Sequence, residues 1–351
     1  MRAAVFHGIG DISIDTVPDP VIERSTDAII SVEAAGVCGS DLWTYRGQSA
    51  VVPGARIGHE FVGRVVEAGT DVCDFAVDDW VIVPFRYSCG ECTYCVRGLT
   101  CSCINGGFWS REVKAAGQGE YVRVPFADAT LIKPYSGGER PDDSLIPSLV
   151  ALTDVMVTGL HGARSAQVCP GDTVTVIGDG AVAISAVMAA QWMGAGRVIV
   201  LGSTHPVRRD LVANLGVEAV LNVRGDEAVE QVRDLTDGLG SDATVECVGS
   251  EQSFLTALSV AAAGTTVGYV GLPHGVAIDP ATMFAKNLGI AGGVCPARAL
   301  IPGLLSEVLA GNLNPGAVFT SRYPLDAVPT AYSDLDQRKC VKPLIDVARK
   351  G

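Results

Sequence analysis

The sequence predicts an α/β chain in two parts, a barrel-like, β-rich part and a doubly wound parallel sheet. Three observations carry this. Over residues 1–135, short apolar or alternating runs are separated by Gly, Pro and Asp, as in short strands joined by turns. From Asp172 the rhythm changes to strands alternating with helical stretches, the pattern of a parallel sheet with crossover helices. A glycine-rich turn, Gly178-Asp179-Gly180, stands where the first of those strands meets the first of those helices.

In the first part the expected strands are Ala28–Val32, Phe61–Val66, Trp80–Val83 and Gly119–Val124. A polar break follows at residues 136–143. Leu145 to Leu160 reads as one buried helix despite Thr153, Asp154 and Thr158. In the second part, strands at Thr173–Ile177, Val198–Leu201, Ala219–Leu221, Ala243–Cys247 and Thr265–Val270 alternate with helices at Ala181–Trp192, Arg208–Leu215, Glu227–Leu235 and Gln252–Ala261. Leu288–Ala291 adds a further strand, and Arg298–Leu309 is a helix. From Phe319 the tail returns to short strands and rejoins the first part. The expected domains are therefore 1–150 with 295–351, and 151–294.

A chain of 351 residues with 48% hydrophobic composition can bury a core in each of two domains. The net charge of −13 and the lack of a basic cluster argue against nucleic acid and anionic membrane surfaces as partners. No apolar run approaches the length of a membrane span. The first eight residues and the polar stretch beyond them do not read as a secretory signal, so a cytoplasmic location is expected. Eleven cysteines in such a chain point to metal ligation rather than disulfides.

Four of them form a knuckle. Cys89, Cys92, Cys95 and Cys103 are spaced so that a loop can wrap one tetrahedral ion and a fourth thiolate can close the shell. A closed shell of four thiolates leaves no place for substrate, so the site is expected to be structural. Cys101 is a spare fourth ligand, and the spacing also resembles an iron–sulfur run without its following Cys-Pro. Cys73, Cys169, Cys247, Cys295 and Cys340 read as packing residues.

A second set of ligand-type residues lies upstream. Cys38, in Gly36-Val37-Cys38-Gly39-Ser40-Asp41, and His59 and Glu60, in Ile57-Gly58-His59-Glu60-Phe61, offer a thiol, an imidazole and a carboxylate. A catalytic zinc takes three such ligands and keeps one position open.

At the glycine-rich turn, Gly178 makes the bend, Gly180 lets a phosphate approach the backbone, and Ala181, Val182 and Ala183 open the helix whose N-terminal N–H groups attract an anion. Asp179 stands at a variable position of the motif and is expected to point away. After the second strand, Leu201-Gly202-Ser203-Thr204-His205-Pro206 contains no acid of the kind that binds the adenosine ribose hydroxyls of NAD. Ser203 and Thr204 can donate hydrogen bonds and Arg208 can supply charge, so NADP(H) is expected over NAD(H). The other reading of Arg208 and Arg209 is a solvated helix face.

Cys38, Gly58-His59-Glu60, the four-cysteine knuckle and the Gly178 turn, in this order, resemble the zinc-containing medium-chain alcohol dehydrogenases over nearly the whole chain. Within that family the chain looks most similar to bacterial secondary-alcohol, polyol and threonine dehydrogenases. The resemblance implies a GroES-like catalytic domain joined to a Rossmann domain, one catalytic and one structural zinc, and a homodimer or homotetramer built on sheet edges, with Leu288–Ala291 as the candidate edge. The run Leu152-Thr153-Asp154-Val155-Met156-Val157-Thr158-Gly159 is similar to that of NADP-dependent secondary-alcohol members, and by it Asp154 completes the ligand set of Cys38 and His59. Read from the residues alone, Asp154 is a helix cap. Glu60 corresponds to a carboxylate able to swing onto the metal, and Thr158, Val270 and Val294 join the cofactor contacts. Ser40 matches the hydroxyl that passes the substrate proton to the cofactor ribose.

The implied chemistry is reversible hydride exchange between an alcohol, expected to be secondary, and NADP(H), with zinc as Lewis acid on the substrate oxygen. A polyol, sugar or threonine-type dehydrogenase using NAD is the alternative, and a non-catalytic nucleotide-binding protein of this fold is disfavoured by the joint presence of Cys38, His59, Glu60 and Asp154. Many members place a His five positions after the first zinc ligand. Here it is Trp43, which cannot accept a proton. The relay then ends in water or Asp41, and Trp43 lines the substrate pocket or packs on the surface.

Overall fold

The computed structural model describes residues 1–49, 51–109 and 115–348. Its first strands are β1 (Arg2–Gly8), β2 (Asp11–Thr16), β3 (Ala28–Gly36), β4 (Ala55–Arg56), β5 (Phe61–Ala68), β6 (Trp80–Val83), β7 (Arg86–Tyr87), β8 (Gly107–Phe108) and β9 (Tyr121–Val124). Then come β10 (Thr173–Ile177), β11 (Arg197–Leu201), β12 (Ala219–Leu221), β13 (Ala243–Glu246), β14 (Thr266–Tyr269) and β15 (Gly289–Gly292). The chain closes with β16 (Phe319–Pro324) and β17 (Lys342–Asp346). Two compact units result, Met1–Asp154 with Pro296–Gly351, and Val155–Cys295.

In the first unit one sheet runs β16-β17-β3-β5-β6, with β9 also paired to β3, and a smaller sheet runs β2-β1-β4. Both contribute to one apolar core, in which Phe6 belongs to the same buried cluster as Ile30, Phe61, Val83 and Tyr332. Three pairings place the site. The end of β3 lies antiparallel to the start of β5, with Ala35 opposite Phe61. The end of β3 also lies against β17, with Gly36 opposite Leu344. The backbone N–H of Phe85, just past β6, donates to the carbonyl of Thr153 at 2.9 Å.

The sequence read Leu145 to Leu160 as one helix. The structure instead has Ile146–Thr153 and Val155–Ser165, with Asp154 between them at φ −148°, ψ −76°. An interruption there leaves the Asp154 side chain free of the helical repeat. β1 and β2, which no sequence pattern singled out, form an antiparallel hairpin. Cys73 and Cys169 are exposed rather than packed, on loops where their backbone N–H groups donate to Asp128 and Asp172, whereas Cys247 is half-buried and Cys295 and Cys340 are buried.

The second unit is a parallel sheet of order β12-β11-β10-β13-β14-β15, with β10 next to both β11 and β13. This is the doubly wound order, and its reversal point lies beyond the carboxyl ends of β10 and β13. The central strands β10 and β13 are buried along their whole length, as strands covered on both faces are, although they carry Thr173, Thr175, Thr244 and Glu246 among their apolar residues. Val174, Val176, Ile199, Val200 and Val245 are all buried. β15 is one of the two edge strands, with β12 at the other edge. Among the described residues no single helix is long and apolar enough to cross a membrane.

Candidate active site

Cys38 follows the end of β3, and His59 and Glu60 precede the start of β5. Antiparallel pairing of those two strand ends therefore brings Cys38 and the His59-Glu60 pair, twenty-one residues further on, to one place. Gly58 permits it: its φ is +100°, and a Cβ there would stand 2.4 Å from the Gln118 side chain. Ligand atoms of Cys38, His59, Glu60 and Asp154 all lie within 4.8 Å of one another, and all four residues are buried. Asp154 Oδ2 is 3.5 Å from Cys38 Sγ and 3.2 Å from His59 Nε2.

Two groups behind these residues orient them. Asp41 Oδ1 lies 3.2 Å from His59 Nδ1, and its Oδ2 accepts the Cys38 backbone N–H at 2.9 Å. With Nδ1–H directed at Asp41, the Nε2 lone pair faces Cys38 and Asp154, as a ligating imidazole requires. Lys342, the first residue of β17, puts Nζ 2.7 Å from Glu60 Oε1 and 3.2 Å from the Val37 carbonyl. Gly36 leaves room for the Glu60 carboxylate, since a Cβ there would fall 2.1 Å from Oε2.

The electrostatics fit a cation. Burial pushes the Cys38 thiol up, and the Asp154 charge adds to the rise. Burial likewise raises the Glu60 carboxyl, with Lys342 opposing and Asp154 reinforcing. Burial disfavours charge on His59, yet Asp41 and Asp154 outweigh it and raise its pKa well above the ordinary value. A thiol and two carboxyls packed together crowd negative charge, which a divalent ion at their centre relieves. Ser40 is exposed at the start of the short helix Asp41–Tyr45, and Trp43, on that helix, is half-buried.

The knuckle forms a second cluster. Ligand atoms of Cys89, Cys92, Cys95 and Cys103 also lie within 4.8 Å of one another. The sulfur pairs Cys92–Cys95, Cys92–Cys103 and Cys89–Cys103 stand at 3.5, 3.9 and 3.4 Å. A disulfide needs about 2.05 Å. A tetrahedron with metal–sulfur bonds of about 2.3 Å has edges of about 3.8 Å, so these four sulfurs match a single ion. The backbone N–H groups of Cys95 and Ile104 lower the Cys92 thiol to about 6, toward the thiolate a metal needs.

In the second unit, the residues expected at a dinucleotide gather at the carboxyl ends of the parallel strands. Gly178, Gly180, Ala181 and Val182 follow β10, Ser203, Thr204 and Arg208 follow β11, Val270 follows β14, and Val294 follows β15. Thr158 is half-buried on the helix Val155–Ser165. Gly178 has φ +120°, which a side chain rarely adopts, and its missing Cβ would sit 3.3 Å from Ala183. A Cβ on Gly180 would meet nothing within 4 Å, so the N-terminus of Ala181–Trp192 opens onto space for a phosphate pair.

Asp179 does not point away, as the sequence reading has it. Its Oδ2 accepts the Ser203 backbone N–H at 2.8 Å and the Ser203 hydroxyl, and Oδ1 takes Arg208 Nη1 at 3.3 Å. The end of the second strand thus has an acid after all, delivered from the neighbouring turn. Arg209 is exposed beside Asp210.

Two domain families cover most of the chain. Residues 24–134 match the alcohol dehydrogenase GroES-like domain, and residues 181–310 match the zinc-binding dehydrogenase domain. Zinc-type alcohol dehydrogenase B of Aspergillus flavus is 31% identical over 350 residues, covering 97% of this chain and 80% of the relative. Alcohol dehydrogenase TADH from Thermus sp. ATN1 has 31% identity and a TM-score of 0.91, covering 99% of this chain and 100% of that one. The 2R,3R-butanediol dehydrogenase from Bacillus subtilis has 25% identity and a TM-score of 0.82, with 99% of each chain covered.

Fold and site together define a zinc- and nicotinamide-dependent oxidoreductase. The chain belongs to the zinc-containing medium-chain alcohol dehydrogenase family, with a GroES-like and a Rossmann part. It is an enzyme of that type, acting on an alcohol–carbonyl pair.

Proposed function

We propose that the chain interconverts a secondary alcohol and its ketone, with Cys38, His59 and Asp154 holding the catalytic zinc and Glu60 as an alternate ligand. The observation that supports this most is the buried four-residue cluster with Asp41 behind His59. The secondary-alcohol reading draws on the run Leu152 to Gly159 and on the butanediol dehydrogenase among the structural relatives. When bound, zinc supplies Lewis-acid polarisation of the substrate oxygen and the nicotinamide carries the hydride.

The chain's own residues do the rest. Asp41 holds the His59 ring with Nε2 turned to the metal position. Lys342 neutralises Glu60 and so lets that carboxylate stay buried whenever it is not the metal's ligand. Ser40, one residue past Gly39, takes the substrate proton. Trp43 offers no acceptor for the next step, so the proton leaves to water. Cys89, Cys92, Cys95 and Cys103 hold the structural zinc. For the dinucleotide, Gly178, Gly180, Ala181 and Val182 receive the pyrophosphate, and Thr158, Val270 and Val294 contact the nicotinamide half. The NADP(H) preference expected from Ser203, Thr204 and Arg208 supposed that no acid stood near them, and Asp179 bears directly on it.

Two metal ions per chain and turnover of secondary alcohols above primary alcohols, polyols and threonine support this reading. One metal per chain, unchanged by Cys38→Ala, or a preference for polyols, overturns it. We further propose that the protein works in the cytoplasm as a homodimer or homotetramer paired through β15. A monomer by light scattering would refute the pairing, and export of the full-length protein when expressed in its own cell would refute the location.

A further inference from the structure

We propose that Asp179, delivered from the glycine-rich turn, selects against a 2′-phosphate and makes NAD(H) the preferred cofactor. The inference rests on the reading of the chain as a nicotinamide-dependent dehydrogenase and names which nicotinamide dinucleotide it takes.

The groups that suit a 2′-phosphate on sequence grounds are Ser203, Thr204 and Arg208. In the structure Asp179 already engages two of them. Oδ2 takes both the N–H and the hydroxyl of Ser203, and Oδ1 takes Arg208. The cluster is built rather than incidental. The Asp179 and Arg208 side chains are 10% and 15% exposed. Gly202 lies directly against the acid, at ordinary van der Waals distance: a Cβ there would stand 3.5 Å from Asp179 Cβ and 3.6 Å from Oδ2. The β10 turn and the β11 end are also tied directly, by the Gly178 N–H donating to the Leu201 carbonyl at 3.0 Å.

Charge decides which dinucleotide this place accepts. Burial opposes ionisation of Asp179, but the Ser203 hydrogen bonds and Arg208 outweigh it and keep the carboxyl below the ordinary range. It is therefore an anion, and Arg208 is its counter-ion. The other nearby arginine, Arg209, faces solvent beside Asp210. A phosphate arriving here meets a carboxylate with no surplus positive charge, and both Ser203 donors are already taken. A ribose hydroxyl meets the opposite situation: it is a donor, and Oδ1 keeps acceptor capacity beyond its one bond to Arg208. An acid near the end of the second strand is the arrangement that holds the ribose 2′-hydroxyl of NAD. Here it comes from twenty-four residues earlier in the chain, which is why inspection of residues 201–206 does not find it.

The test is an equilibrium titration of the zinc-loaded full chain with NADH and with NADPH, read by reduced-nicotinamide fluorescence and needing no turnover. NADH is expected to bind tighter by about tenfold or more, as like-charge juxtaposition costs on that scale. Asp179→Asn, which keeps the shape and removes the charge, is expected to narrow the ratio several-fold by tightening NADPH. Asp179→Ser provides the same reading if the first variant is insoluble, and the unmodified protein tests the preference with neither. NADPH binding as tightly as NADH, or a ratio unmoved by either variant, overturns the proposal. So does an Arg208→Ala variant that loses NADPH selectively. Binding of neither dinucleotide overturns the dehydrogenase reading along with it, which separates that failure from a wrong choice between the two.

Discussion

Lys342 Nζ lies 2.7 Å from Oε1 of Glu60, with the two side chains 1% and 0% exposed. They are 282 residues apart in sequence and meet because β17 and the start of β5 both flank the end of β3. Removing one member of a buried ion pair leaves the other without compensation, at a cost of about 3–5 kcal/mol. Lys342→Met is therefore expected to lower stability on that scale in urea unfolding of the zinc-loaded protein, and Lys342→Arg to restore most of it. A loss below about 1 kcal/mol, the size of a surface pair, would show that the pair is not held as described.

Cys38→Ala and His59→Ala each remove one ligand of the buried cluster. Turnover is expected to disappear, and metal content to fall from two ions per chain to one. The glycine-rich turn belongs to the other compact unit, so NADH binding should persist. Metal analysis and a binding titration read these separately, and retained turnover in either variant would count against the assigned ligands.

Asp41 touches His59 and the Cys38 backbone but none of the reacting atoms. Asp41→Ala is expected to weaken the catalytic metal by about 10–100-fold, the usual cost of losing a carboxylate behind a ligating histidine. Competition with a chelator measures this. Excess zinc should rescue part of the activity, which a merely unfolded variant would not show.

Cys92→Ala opens the knuckle. Its sulfur stands 3.5 Å from that of Cys95 and 3.9 Å from that of Cys103, so the remaining three thiolates cannot close a shell. The expected result is loss of the second metal with lower solubility or impaired assembly, while soluble material still turns over. A stably folded, inactive Cys92→Ala protein would contradict the division between the two metal sites.

Much of the site was legible where the chemistry depends on neighbours in sequence. The knuckle spacing places four thiolates on one short loop. The strand–turn–helix setting of Gly178 and Gly180 is likewise local, because φ +120° and a close helix approach restrict which residues can stand there. Asp154 was legible only through a family resemblance, since an Asp before an apolar run reads equally well as a cap. Asp41 had a faint signal in its position three residues after Cys38. Lys342 had none, because a lysine opening a C-terminal strand looks like any solvated surface charge.

From the sequence alone, then, came the alternation of strands and helices in the second unit, the cysteine knuckle, the ligand types of Cys38, His59 and Glu60, and the phosphate-receiving turn, all set by backbone preference and spacing. Tertiary structure decided which carboxylate faces which cation. Glu60 is matched by a lysine from the far end of the chain, and Asp179 turns back to Ser203 and Arg208 rather than outward. Such choices depend on side-chain direction and on strands brought together across hundreds of residues, and no local pattern encodes either.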